Sequence, residues 1–501
     1  MQMKRRWMQW STSILMTLFL IQIIVVHSIN EKEEEEVDNE NMSLELVHRH
    51  DSRVIGDVDQ LEAIKGSIQR DYFRRQRMNQ IKGINQNHRR KDIETQQFQM
   101  PMHSGRDYAL GEYFVGVKIG SPGQSFWLVA DTGSEFTWFN CKPRGKHLGN
   151  GGGHKHKHKG ESKSKTKTKT KTTTARRKRG ASNNPCYGVF CPHRSNTFQQ
   201  VTCSSHKCKV ELSNLFSLSY CPNPSDPCLF DISYADGSSA KGFFGTDTVT
   251  VALTNGKKGK LHNLTIGCTQ TMLNGVTFNE NTGGILGLGY AKDSFVDKAS
   301  LQYGAKLSYC LVDHLSHQNV SSYLTFGTPK VKLLSEIRKT ELFLYSPFYG
   351  VHVLGISVGD QMLKIPHQVW DFNAEGGMII DSGTTLAGLV LEAYDPVFEA
   401  LKKSLTNVKR LDIGVLDFCF DSEGFNERTV PRLVFHFAGG ARFEPPIKSY
   451  IIDVEPKVKC IGIVPINGTG ASVIGNIMQQ DFLWEFDLAK NTVGFASSTC
   501  N

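Results

Sequence analysis

The sequence predicts a mostly β protein built from two related halves, and three observations carry that prediction. From Tyr113 to Cys500 the chain reads as short alternating or apolar strands separated by Gly, Pro, Asn and Asp. Helical windows are few, the best running from Leu391 to Leu405. A short apolar run ending in Asp, hydroxyl, Gly, hydroxyl occurs twice, as Val129-Ala130-Asp131-Thr132-Gly133-Ser134 and as Ile379-Ile380-Asp381-Ser382-Gly383-Thr384. The 501 residues are enough for two or three domains, and a hydrophobic content of 39% excludes a fibre or a disordered polymer.

The chain starts with Lys4, Arg5 and Arg6, an apolar run from Ile14 to Val26 and a small residue at Ser28, so residues 1–28 read as a signal peptide. Thr17 and Gln22 interrupt that run, which falls short of the roughly 18 apolar residues of a span; no stable membrane span is expected. Glu31 and Glu33 to Glu36 follow at once, unlike an acid-poor transit peptide, which favours the secretory pathway. Residues 29–107 are polar and rich in Arg, Gln and Asn, with a helical-looking stretch from Leu61 to Met78 and little to build a core. The strand texture then begins, at Tyr113 to Ile119, Phe126 to Ala130, Thr248 to Leu253 and Tyr323 to Phe326.

All twelve cysteines lie beyond residue 140, an even number that suggests up to six disulfides in an oxidising compartment. No pair of CxxC motifs points to zinc, and neither a metal nor a cofactor is expected. Glycosylation triplets begin at Asn41, Asn263, Asn319 and Asn467.

The formal charge of +9 is concentrated: between Arg144 and Gly180 stand 14 Lys or Arg against Glu161 alone, leaving the rest mildly acidic. This segment, with its Gly cluster and His-Lys and Lys-Thr alternation, reads as a solvated surface insertion without a core. Sharper readings are a processing site at Arg176 to Arg179, contact with an anionic polymer through residues 144–180, and a metal site from His154, His156 and His158. Nucleic-acid binding is the rival class, against which the signal peptide and disulfide-type cysteines argue.

The repeat carries the chemistry. A strand that ends abruptly presents its carboxylate at a turn, Gly admits a close backbone, and flanking hydroxyls hold the carboxylate. Two such carboxylates brought together share a proton, so one can act as base on a water while the other protonates a scissile carbonyl. The bland alternative is a pair of strand-end aspartates accepting turn hydrogen bonds.

On these residues the chain resembles the pepsin family of aspartic proteases, and more closely its plant nepenthesin-like branch, from Tyr113 to Asn501. The apolar-apolar-Gly segments Ile285-Leu286-Gly287 and Val473-Ile474-Gly475 are similar to those that cross the family's aspartate loops. Tyr234-Ala235-Asp236-Gly237-Ser238 resembles the family's flap, and Trp138 the Trp that hydrogen-bonds the flap Tyr. Ser382, Ala235 and Asn476 depart from the pepsin pattern, where Thr, Gly and an acid are frequent.

The resemblance implies a bilobal pepsin-like fold, with a propeptide over 29–107 that opens at Leu44-Glu45-Leu46-Val47-His48-Arg49, a first lobe over 108–328 and a second over 329–501. It implies a monomeric endopeptidase made as a zymogen, with Asp131 and Asp381 catalytic, Ser134 and Thr384 orienting them, and Thr132 and Ser382 locking the loops together. Gly133, Gly383, Gly237 and Tyr234 would hold an extended protein or peptide substrate with large hydrophobic side chains. Cysteines 186 to 228 resemble the branch's Cys-rich insertion, and the likeness pairs Cys419 with Cys460 and Cys268 with Cys500. The compartment implied is extracellular, apoplast or vacuole, with the plastid as an alternative. Members of this fold also serve as catalytically inactive inhibitors, which is the rival function.

Overall fold

The computed structural model describes Leu44–Glu45, Phe98–His103 and most of residues 112–500. Residues 1–28, the Leu61 to Met78 stretch and the basic segment 144–180 lie outside the described residues.

The first repeat begins with strand Phe114–Ile119, in which Phe114, Val115, Val117 and Ile119 are buried while Lys118 faces solvent. It pairs antiparallel with Gln124–Asp131, whose last four residues, Leu128 to Asp131, are all buried. Strand Thr282–Gly287 then runs parallel to Gln124–Asp131, with Ile285, Leu286 and Gly287 opposite Val129, Ala130 and Asp131. On its other side it lies antiparallel to Thr137–Asn140, where Ile285 faces Trp138.

The second half repeats this arrangement. Met378–Ile380 runs parallel to Ser472–Ile474, with Ile379 opposite Val473, and Gly388 of strand Ala387–Val390 pairs with Val473. The apolar-apolar-Gly spelling has the same steric cause in both halves. A Cβ on Gly287 would lie 2.6 Å from the Phe136 backbone, and one on Gly475 would lie 2.4 Å from the Leu386 carbonyl oxygen.

Strands Ser321–Phe326, Lys306–Cys310, Phe482–Asp487, Thr492–Ser497 and Arg338–Tyr345 stand side by side and join the two halves. Two small sheets complete the second lobe: Gln361–Met362, Val353–Val358, Leu433–Phe437 and Arg442–Phe443, and Arg410–Leu411, Cys419–Asp421, Val458–Ile461 and Ile451–Glu455. The fold is mostly β and bilobal, as the sequence predicts.

The expected helix forms as Leu391–Lys402, burying Ala393, Tyr394, Val397 and Leu401 at helical spacing. It stops short of Leu405 because the last turn tightens, with Ser404 N–H donating to Leu401 O and Leu405 N–H to Lys402 O. Helix Phe295–Tyr303, which the sequence reading did not anticipate, is capped by the Ser294 hydroxyl accepting from Asp297 N–H.

The twelve cysteines form six disulfides. Cys419 pairs with Cys460 as expected, the two standing opposite each other across a ladder. The expected Cys268–Cys500 pair is wrong: Cys268 bonds Cys141, and Cys500 bonds Cys310. Register decides this, because Phe139 lies opposite Cys268 in a parallel pair, which brings Cys141 to a Cα distance of 5.1 Å from Cys268. Cys310 instead lies opposite Leu483, in an apolar cluster that contains Cys500. Cys186–Cys191, Cys203–Cys221 and Cys208–Cys228 staple the Cys-rich insertion.

Candidate active site

Each half delivers its aspartate fully buried at the end of a fully buried run, and the turn that follows folds back on the carboxylate. Gly133 N–H donates to Asp131 Oδ1 at 2.9 Å and the Ser134 hydroxyl donates to Asp131 Oδ2. In the second half Gly383 N–H donates to Asp381 Oδ1 at 2.9 Å and the Thr384 hydroxyl to Asp381 Oδ2 at 2.7 Å. Each carboxylate is held by one backbone and one side-chain donor in the same order, so the repeat seen in sequence is a repeat of hydrogen bonding.

The two turns are joined directly. Thr132 N–H donates to Ser382 Oγ at 3.1 Å, and Ser382 N–H donates to Thr132 Oγ1 at 2.8 Å. The hydroxyls continue the exchange: Ser382 Oγ donates to Ala130 O at 2.9 Å and Thr132 Oγ1 to Ile380 O at 3.4 Å. All of these groups are buried, where a donor left without its acceptor costs about 1–3 kcal/mol, so the network holds the turns in one arrangement.

A further bond between the lobes has no signature in the sequence. The Tyr309 hydroxyl, on a first-lobe strand, donates to Gln479 Oε1, while Gln479 Nε2 donates to Ile474 O at 2.7 Å. Burial pushes the Tyr309 pKa well above its ordinary value, the negative charge of Asp381 adds to this, and a hydrogen bond with Thr132 opposes it. Tyr309 therefore stays a neutral donor. Asn476, which replaces the acid frequent in pepsins, donates from Nδ2 to Ser382 O at 3.0 Å and from its backbone N–H to Thr384 O at 2.7 Å.

Trp138 is buried in strand Thr137–Asn140. Tyr234, Ala235, Asp236, Gly237 and Ser238 lie outside the described residues, but strands Leu229–Ser233 and Ser239–Ala252 pair antiparallel up to Ser233 and Ser239, so that segment links a hairpin. Asn263 is exposed at positive φ and Asn467 is exposed, whereas Asn319 lies outside the described residues. Two groups, Cys186 with Cys191 and His193 and Cys208 with Cys221 and Cys228, have metal-ligand proximity, but every cysteine in them is in a disulfide. Among the described residues no helix is long and apolar enough to cross a membrane.

Two related lobes, each presenting an aspartate on a hydrogen-bonded turn crossed by an apolar-apolar-Gly strand, define the pepsin-like architecture. Family models described as xylanase inhibitor N-terminal and xylanase inhibitor C-terminal match residues 113–328 and 348–497. Aspartyl protease family protein 2 of Arabidopsis thaliana is 31% identical over 420 residues, covering 80% of this chain and 74% of that protein. Aspartic proteinase nepenthesin-1 of Nepenthes gracilis is 27% identical over 404 residues, 78% of each. Among solved structures, basic 7S globulin from soybean superposes with a TM-score of 0.58 at 17% identity, covering 81% of this chain and 96% of that one, a likeness of fold. The chain belongs to the plant pepsin-like aspartic protease family.

Proposed function

We propose that this chain is an aspartic endopeptidase made as a zymogen. The observation that carries the reading is the reciprocal Thr132–Ser382 exchange, which ties together two turns whose carboxylates have matching donors. In the reaction one of Asp131 and Asp381 takes a proton from a water, whose oxygen forms the new bond to the scissile carbonyl carbon. The other gives its proton to the carbonyl oxygen. The carbon–nitrogen bond then breaks as the leaving nitrogen is protonated. Ser134 and Thr384 hold the carboxylate planes, and the hairpin carrying Tyr234 covers an extended peptide with large hydrophobic side chains.

Residues 29–107 are the propeptide in this reading. It is supported by Leu44 and Glu45, which pair with Leu324 and Tyr323, and by Phe98–His103, which pairs at Met102 and His103 with Ser322 and Ser321 on the same strand. The leader-like residues 1–28 and the six disulfides support a secretory-pathway enzyme in this reading, taken as a monomer with the exposed Asn263 and Asn467 as glycan acceptors.

The description of the matching family models as xylanase inhibitor supports a second reading, a catalytically idle binding protein. The experiment that separates the two is cleavage of an unfolded protein substrate between about pH 3 and 7, the range in which such dyads are singly protonated. Acid-treated chain is compared with Asp131→Asn and Asp381→Asn, with and without pepstatin. Acid-favoured cleavage abolished in both variants supports the protease; a folded, processed chain that cleaves nothing supports the binding protein.

A further inference from the structure

The two aspartate turns match in residue type, Asp, hydroxyl, Gly, hydroxyl, until the position after the second hydroxyl, where the first lobe has Glu135 and the second has Thr385. Glu135 is 5% exposed, and a carboxylate is almost never buried to this degree without partners. Its Oε1 accepts two hydrogen bonds from one residue, from Ser217 N–H at 3.1 Å and from the Ser217 hydroxyl at 2.7 Å. Ser217 is itself fully buried and belongs to the Cys-rich insertion, between Cys208 and Cys221, which are held by separate disulfides to Cys228 and Cys203. Its carbonyl accepts from Asp231 N–H at 2.8 Å, and the next residue, Leu218, bridges Phe230. Asp231 and Phe230 lie on Leu229–Ser233, the strand that leads into the 234–238 hairpin segment.

These contacts form one line. It runs from the Asp131 carboxylate through the Ser134 hydroxyl to Glu135, then through Ser217 to the hairpin strand. The insertion exists only in the first lobe, and the acid stands only in the first-lobe turn, so the departure from the repeat falls where the second structure is attached. We propose that Glu135 is a positioning residue that couples the Asp131 turn to strand Leu229–Ser233 through Ser217. The proposal rests on the protease reading for its effect on rate, but the coupling itself is a property of the folded chain. A stapled insertion provides a fixed anchor, so the same residue sets the position of a carboxylate and of strand Leu229–Ser233.

The test compares wild type, Glu135→Ala, Glu135→Gln and Ser217→Ala in the full chain, by backbone amide exchange and by steady-state kinetics after acid treatment. In Glu135→Ala, exchange is expected to rise about tenfold in both 131–136 and 229–233, as expected for loss of a buried acceptor, while 378–384 stays at the wild-type rate. The kcat falls about tenfold with KM within about twofold, the pattern expected when a reacting group is misplaced rather than substrate lost. Glu135→Gln keeps an acceptor oxygen and recovers most of both effects; Ser217→Ala keeps the N–H donor and falls between. Exchange that rises in only one of the two segments, or equally in 378–384, overturns the coupling. So does a kcat within about twofold of wild type. A wild-type chain without activity defeats the protease reading, and the exchange pattern alone then decides the coupling. Should Glu135→Ala fail to fold, Glu135→Gln and Ser217→Ala give the same two readouts.

Discussion

Thr132 and Ser382, 250 positions apart, each donate a backbone N–H to the other's side-chain oxygen, at 3.1 and 2.8 Å. The bond pair crosses from one lobe to the other, so the turns that carry Asp131 and Asp381 are tied directly to each other as well as through the strands that join the halves.

Ser382→Ala removes the acceptor of Thr132 N–H and the donor to Ala130 O in one step. A buried donor left alone costs about 1–3 kcal/mol, and a melting temperature lower by roughly 2–6 °C is expected by calorimetry. Ser382→Thr retains the hydroxyl and is expected to melt within about 1 °C of wild type. In the proposed protease the alanine variant also loses kcat, because the two carboxylates lose their common register.

Asn476→Asp tests the amide beside the second turn. Asn476 Nδ2 donates to Ser382 O, so an ionised Asp would set a carboxylate oxygen against that carbonyl, a contact that only the protonated acid can make. The variant is expected to lose activity toward neutral pH and keep it in acid, narrowing the pH–rate profile from its alkaline side. An unchanged profile would mean that the loop moves to relieve the contact.

Asp293 lies at the foot of the Cys-rich insertion, with Lys298 Nζ at 2.6 Å and Lys207 Nζ at 3.1 Å; Lys207 also pairs with Glu211 at 2.7 Å. Burial raises the Asp293 pKa, but the hydrogen bonds from Lys298 and Lys207 and the Lys207 charge outweigh it, so its carboxyl is held well below the usual carboxylate range. A depressed carboxyl pKa stabilises the fold fully above the unfolded value of about 4 and progressively less below it. Asp293→Asn is therefore expected to melt about 2–4 °C below wild type at pH 5 to 7, with the gap closing as pH falls below about 4. Calorimetry at a series of pH values reads this directly.

The disulfide frame makes a prediction that needs no activity. Cys500→Ser is expected to free the thiol of Cys310 and leave Cys268 bonded to Cys141, as mapped by alkylation and peptide mass spectrometry under non-reducing conditions. Because Cys310–Cys500 spans 190 residues, its loss is expected to destabilise the fold by about 2–5 kcal/mol.

The lobed β fold, the two aspartates and the crossing segments were legible because each leaves a local signature. A strand end, a Gly N–H two residues on and a hydroxyl three residues on from the carboxylate are all matters of short spacing, and Asp131-Thr132-Gly133-Ser134 states them in four letters. The Cys419–Cys460 pair was reached through family likeness. The same likeness misassigned Cys268, because whether it faces Cys141, 127 positions away, or Cys500 depends on the register of a parallel ladder between distant strands.

Glu135 shows the boundary most clearly. Its sequence position, directly after the motif, marked nothing, since an acid at a turn is ordinarily solvated. Only tertiary structure brings Ser217 to it, across 82 residues and through an insertion folded by its own disulfides. Tyr309 with Gln479, 170 residues apart, is a similar case. The two aspartates of the proposed chemistry and their occurrence as a matched pair were readable from the residue order alone, because that information lies in short-range covalent geometry. The tertiary structure decided which distant donors and acceptors hold those groups in place, because burial obliges each polar atom to find a partner and only the packed chain determines which one is near.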